Sequence, residues 1–140
     1  MFIVNRIING RLNSPETDIV PVTGQISSAN VAYQCGMAIS LTSGKAVPCG
    51  ATTKPTHIVN ENYTTTGADD THSLSCSIVT PDVIYETAFS ATPTGIAKGS
   101  VVTIASTSDK VTATATSGVA TVFDMLDAAA SGDRVLVRFA

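Results

Sequence analysis

Ser73-Leu-Ser-Cys-Ser-Ile78 alternates hydroxyl and apolar side chains, and Val83-Ile-Tyr-Glu-Thr-Ala-Phe89 repeats the alternation a few residues later. A period of two places Leu74, Cys76 and Ile78 on one face and the serines on the other, which is a half-buried strand. In the second stretch Val83, Tyr85, Thr87 and Phe89 share one face, opposite Ile84, Glu86 and Ala88. A helix would need a spacing of three and four, and neither stretch has it. These two strands set the fold class as β.

Downstream, the pattern continues through Val101-Val-Thr-Ile104, Val111-Thr-Ala-Thr-Ala-Thr116 and the alternating set Val119, Thr121, Phe123 and Met125. It closes on Arg134-Val-Leu-Val-Arg-Phe139, with Val135, Val137 and Phe139 expected inward and two arginines outward. Thr, Val and Ile suit a pleated surface. Ser43-Gly44, Thr66-Gly67, Pro93-Thr-Gly95, Ser117-Gly118 and Ser131-Gly-Asp133 mark turns between strands. Helical character is confined to a turn or two over 122–130, and its start overlaps a strand pattern.

Upstream, a loose self-similarity links two units. Gly36-Met-Ala-Ile-Ser-Leu-Thr-Ser-Gly-Lys45, followed by Thr53-Lys-Pro-Thr-His-Ile-Val59, parallels Gly99-Ser-Val-Val-Thr-Ile104, followed by Asp109-Lys110 and Val119-Ala-Thr-Val122. Each begins at a glycine, runs through an apolar strand, turns through small polar residues to a lysine and ends in a β-branched strand. Repetition on this scale marks a supersecondary unit used twice. The reading is one domain over 31–140, with units at about 36–59 and 99–122 and an exposed polar loop near 60–72. Residues 1–30 carry Pro15 and Pro21 without a clear period, which predicts an extended N-terminal arm with an edge strand near Asp18 to Val22. The expected fold is all-β, a small β-sandwich or partly open β-barrel.

Composition narrows the function classes. The chain has 140 residues, 14% of them charged, against roughly 25% in an average domain. Ser and Thr fill about a quarter of the positions. So few charges leave little to hold copies apart, which points to a subunit covered by an assembly. The net charge is −3 and the eight basic residues are scattered, so nucleic acid is not expected as a partner. No apolar run is long enough to span a bilayer as a helix, and Met1-Phe-Ile-Val-Asn-Arg-Ile does not read as a signal peptide. Cys35, Cys49 and Cys76 match no zinc spacing and are expected as reduced, mostly buried thiols.

Reactive constellations are scarce. His57, on or beside a strand, is expected as a satisfied structural imidazole, and Asp69-Asp-Thr-His72 as a solvated acidic loop without a metal. There is no GxSxG elbow, no P-loop and no GxGxxG. Cys76 should face the core, where a thiolate is disfavoured. Three Tyr, four Phe and no Trp supply a poor stacking platform for sugars. No enzyme, cofactor or metal site is expected.

Three stretches carry a resemblance: Arg6-Ile-Ile-Asn-Gly-Arg11 with Pro15-Glu-Thr17; Gly36-Met-Ala-Ile39 with Ser43-Gly-Lys-Ala-Val-Pro-Cys-Gly50 and Thr53-Lys-Pro-Thr-His-Ile58; and Ser131-Gly-Asp-Arg-Val-Leu-Val-Arg-Phe139. Together they resemble the capsid decoration (cement, or head-stabilising) proteins of tailed phages. The resemblance covers most of the chain and is weakest over 60–98. It implies a non-enzymatic virion protein, made in the host cytoplasm, that binds the outer surface of an assembled shell. It also implies the major capsid protein as partner and a homo-oligomer, a trimer being favoured. Ile3, Ile7, Arg11, Ile19 and Val22 are the expected capsid-contacting anchors, because apolar side chains on an extended arm would otherwise stand in solvent. A tail, fibre or head–tail joining component is the nearest alternative, and a carbohydrate-binding module a more distant one.

Overall fold

The computed structural model describes residues 1–7, 16–22, 30–127 and 133–139. Thirteen strands and no helix are found among them. Six form one antiparallel sheet: β1 (Ile3–Ile7), β9 (Val83–Ala88), β13 (Arg134–Arg138), β12 (Ala120–Met125), β10 (Val101–Ile104) and β11 (Val111–Thr112), in that spatial order. Five form a second: β2 (Thr17–Pro21), β8 (Ser73–Ile78), β6 (His57–Val59), β4 (Ala38–Thr42) and β5 (Lys45–Pro48). A ribbon of β3 (Ala32–Tyr33) and β7 (Tyr63–Thr64) completes the set.

The two similar units occupy equivalent places. In each, the first strand is central, its hairpin partner lies on one side and the third strand on the other: β5-β4-β6 in one sheet, β11-β10-β12 in the other. The β4–β5 hairpin turns at Ser43 (φ 49°) and Gly44 (φ 74°). Two successive positive φ values make the turn whose twist matches the flanking strands. Backbone bonds lock the units together, Ala38 donating to the Ser108 carbonyl (2.7 Å) and Ile104 to that of Ala51 (3.0 Å).

Both sheets curl without closing into a barrel. β2 approaches β5 without pairing, and Phe89 makes a single parallel bridge to Val111. The result is a small β-sandwich with two apolar cores. One lies between the sheets and gathers Phe2, Ile58, Val83, Tyr85, Phe89, Val102, Val122, Val135, Val137 and Phe139. The other lies on the opposite face of the five-stranded sheet and gathers Val20, Val22, Tyr33, Ile39, Val59, Leu74 and Cys76. Alternation explains the division: Ile58 faces the first core while Val59 faces the second. The strand reading at 73–78 and 83–89 is met in position, with Leu74, Cys76, Val83, Tyr85 and Phe89 fully buried; Ile84, expected on the opposite face of β9, is fully buried too, and Ile78 only partly.

Three expectations need correction. The 122–130 stretch is strand through Met125, since Val122 opposes Val137 and is buried; residues 128–132 lie outside the described set. The segment 60–72 is more than an exposed loop. It contains β7, and both Thr65 and Asp70 are buried. The first residues do not stand off the body. β1 pairs with β9 and β2 with β8, each as an outer strand, while Phe2 packs edge-on against Phe139 with centroids 5.3 Å apart. The prediction of an edge strand at Asp18 to Val22 is met by β2, and Pro21 fits there because an outer strand can spare a donor.

Candidate functional site

The expected anchors lie on these outer strands. Ile19, on β2 opposite Ser75, is 70% exposed, and Ile3, on β1 opposite Glu86, is 50% exposed. Val4 beside Ile3 is exposed as well. Ile7 ends β1 opposite Val83, and Arg11 lies outside the described residues. Val22 is corrected: it is fully buried in the second core, where a side chain has no surface left for a partner. Ile3 and Ile19 therefore stand on the outer strands of different sheets.

Both histidines are held by carboxylates. His57 is buried, with Nε2 3.1 Å from Asp18 Oδ2 and Nδ1 2.9 Å from Thr56 Oγ1. Asp18 belongs to β2 and His57 to β6, so the bond reaches across the intervening β8. The Ile19 amide and His57 hold the Asp18 carboxyl below its ordinary value. The order carboxylate–imidazole–hydroxyl is formally that of a nucleophilic relay. A relay also needs its hydroxyl free to attack, and the Thr56 hydroxyl is directed to the Ile39 carbonyl, 3.5 Å away. The bonds instead make His57 a satisfied imidazole that ties two strands, as its strand position suggested.

The second cluster was not legible as a unit. Asp70 accepts bonds from the Tyr63 hydroxyl (2.8 Å), the Thr66 amide (2.8 Å), the Thr66 hydroxyl (3.3 Å) and the His72 amide (2.9 Å). Those donors, the His72 amide first, hold its carboxyl low, and the bond to Asp70 raises the Tyr63 phenol. The His72 ring stacks on Tyr63 at 3.8 Å between centroids, and its Nε2 lies 3.2 Å from Glu61 Oε2. Glu61 Oε1 accepts the Ser75 amide at 2.6 Å. Every oxygen is thus occupied in organising the turn before β8. Among the described residues no group of three or more His, Cys, Asp and Glu is placed to hold a metal ion.

The thiols divide by burial. Cys49 and Cys76 are buried and desolvation pushes each up to about 12, so neither is a thiolate nucleophile at neutral pH. Cys35 is exposed, and all three are unbridged. Cys35 borders a broad open cleft of about 600 Å³ whose walls include Tyr33, Asn62, Tyr63 and Asp109.

No protein-family model and no curated protein sequence matches the chain.

Proposed function

We propose that this chain is a structural virion protein that binds the outer surface of an assembled tailed-phage capsid and stabilises it by bridging neighbouring capsid subunits. The observation carrying this reading is the pair of outer strands β1 and β2, which present Ile3, Val4 and Ile19 to solvent. An outer strand of a sheet, as β1 and β2 are among the described residues, flanked by apolar side chains is suited to accept or complete a strand of a neighbour. The low charge, eight basic and eleven acidic residues in 140, supports a surface meant for contact. The resemblance of three sequence stretches to capsid decoration proteins supplies the partner, the major capsid protein. Trimeric association and a place on the shell exterior belong to the same reading. Many copies, each making a modest contact that requires a formed lattice, would add up to resistance against internal pressure.

Co-sedimentation with undecorated capsids of the source phage tests it. Saturable binding that is lost in a folded Ile3→Asp, Ile19→Asp double variant supports the reading. Absence of binding to assembled shells overturns it, and labelling confined to a single vertex would assign the protein to the tail or the head–tail joint instead.

A further inference from the structure

The two arginines of β13 are exposed on the same face of the strand but are partnered differently. Arg134 Nε lies 3.0 Å from Asp127 Oδ2, and its Nη1 lies 3.5 Å from Glu86 Oε1. No carboxylate pairs with Arg138 among the described residues. Arg138 instead borders a cleft of about 230 Å³, roughly eight water volumes, which Lys98, Gly99, Thr121 and Phe123 also line. Lys98 likewise pairs with no carboxylate among the described residues. Its Nζ lies over the Phe123 ring, 5.2 Å from the centroid.

Strand register sets these side chains together. Thr121 is the direct partner of Arg138 across β12 and β13, while Val122 and Val137 beside them are buried in the core between the sheets. Thr121 and Arg138 therefore leave by the outer face. The segment carrying Lys98 is tied to β12 by two backbone bonds. The Gly99 amide donates to the Val122 carbonyl and the Val122 amide to the Ser100 carbonyl, both at 2.8 Å.

Carboxylates outnumber cations in this chain, eleven to eight, so the basic residues have no shortage of partners. Two cations without a carboxylate on one small cleft repel each other, and an anion between them reverses the sign. A guanidinium offers a carboxylate two parallel N–H groups. The contact with Phe123 restrains the Lys98 ammonium at the cleft, which lowers the entropy lost when a ligand is held. The ring and the methylene stems of the two cations also give the body of the ligand an apolar wall.

We propose that this cleft binds a small organic carboxylate, its oxygens held by Arg138 and Lys98 and its apolar body set against Phe123. The site belongs to the isolated chain and does not depend on the capsid reading.

The test is an amide NMR titration of the full chain, at fixed ionic strength, with sodium benzoate, neutral benzamide and inorganic phosphate in parallel. Benzoate is expected to shift the Gly99, Thr121, Phe123 and Arg138 amides saturably. Benzamide, of the same shape without the charge, and phosphate, charged without the apolar body, should each bind about fivefold more weakly or not at all. Arg138→Gln and Lys98→Gln should each weaken benzoate roughly threefold to fivefold, the upper range for an exposed ion pair. The three-ligand comparison stands on the native chain, so it decides the matter even if a variant misfolds. Absence of saturable benzoate shifts at these amides overturns the site. Benzamide binding as tightly as benzoate overturns the role of the cations, and phosphate doing so overturns the organic class of the ligand.

Discussion

The Ser108 hydroxyl donates to the Cys49 carbonyl across 2.8 Å, a buried bond between residues 59 positions apart. It joins the two similar units directly, because Cys49 follows β5 and Ser108 sits in the β10–β11 turn. The Ser108 carbonyl accepts the Ala38 amide at the same place. Ser108→Ala leaves the Cys49 carbonyl buried without this donor. The expected loss is about 1–3 kcal/mol of unfolding free energy, read from urea denaturation. An unchanged midpoint would mean that this side-chain bond adds nothing to the backbone bonds and packing that join the units.

Gly118, two residues before β12, lies against the backbone of β10. A Cβ there would stand 2.8 Å from the Val102 nitrogen and 3.0 Å from the Val101 carbonyl carbon, both backbone atoms that cannot step aside. Gly118→Ala is expected to cost about 1–3 kcal/mol through overpacking. By contrast, a Cβ at Gly44 meets nothing within 4 Å, and substitution there is penalised only by its φ of +74°. Thermal denaturation of the two variants separates steric from conformational cost.

The Asp18–His57 pair predicts an acid limb in stability. The Asp18 carboxyl is held below 3.8, by the Ile19 amide and then by His57. A depressed folded value means that the folded state binds fewer protons than the unfolded one in this window. The stabilisation is therefore complete above about 3.8 and is lost as pH falls through the lower folded value. Asp18→Asn should lower the denaturation midpoint at neutral pH and flatten the midpoint's dependence on pH below 4. Midpoints of native and variant chains that fall in parallel would overturn this assignment.

Thiol accessibility follows burial. Of three cysteines only Cys35 is exposed, while Cys49 and Cys76 are buried and pushed up to about 12. A thiol-specific reagent should modify one thiol rapidly in the folded chain and all three in denaturant. Cys35→Ser should abolish the fast phase. Rapid reaction of a second thiol would show that one of the cores opens far more readily than its packing implies.

The strands from residue 73 onward were legible because β-branched and apolar residues recur between turn residues, although Ile84 and Leu136 are buried on the faces that strict alternation would leave outward. In β13 Val135, Val137 and Phe139 are buried and Arg134 and Arg138 exposed, while Leu136 between them is buried as well, so the strand is covered on both faces at its centre. The 60–72 segment was misread for a physical reason. Its order comes from Asp70 gathering donors at Tyr63, Thr66 and His72, and polar clusters of this kind leave no period in the chain. Val22 was misassigned because an apolar residue next to a proline reads alike whether it meets a partner or its own core.

Local chemistry by itself determined that this is an all-β chain, where most strands run, where they turn, and that two stretches are built to one plan. Those follow from side-chain alternation and from turn residues, which act over a few positions. Only the tertiary structure decided that the two stretches lie in different sheets joined through Ser108, that Asp18 reaches His57 over β8, and that Phe2 and Val22 belong to the interior while Ile3 and Ile19 do not. Those contacts join residues far apart in the chain, and their existence depends on how two curled sheets meet, a relation that short-range pattern cannot encode.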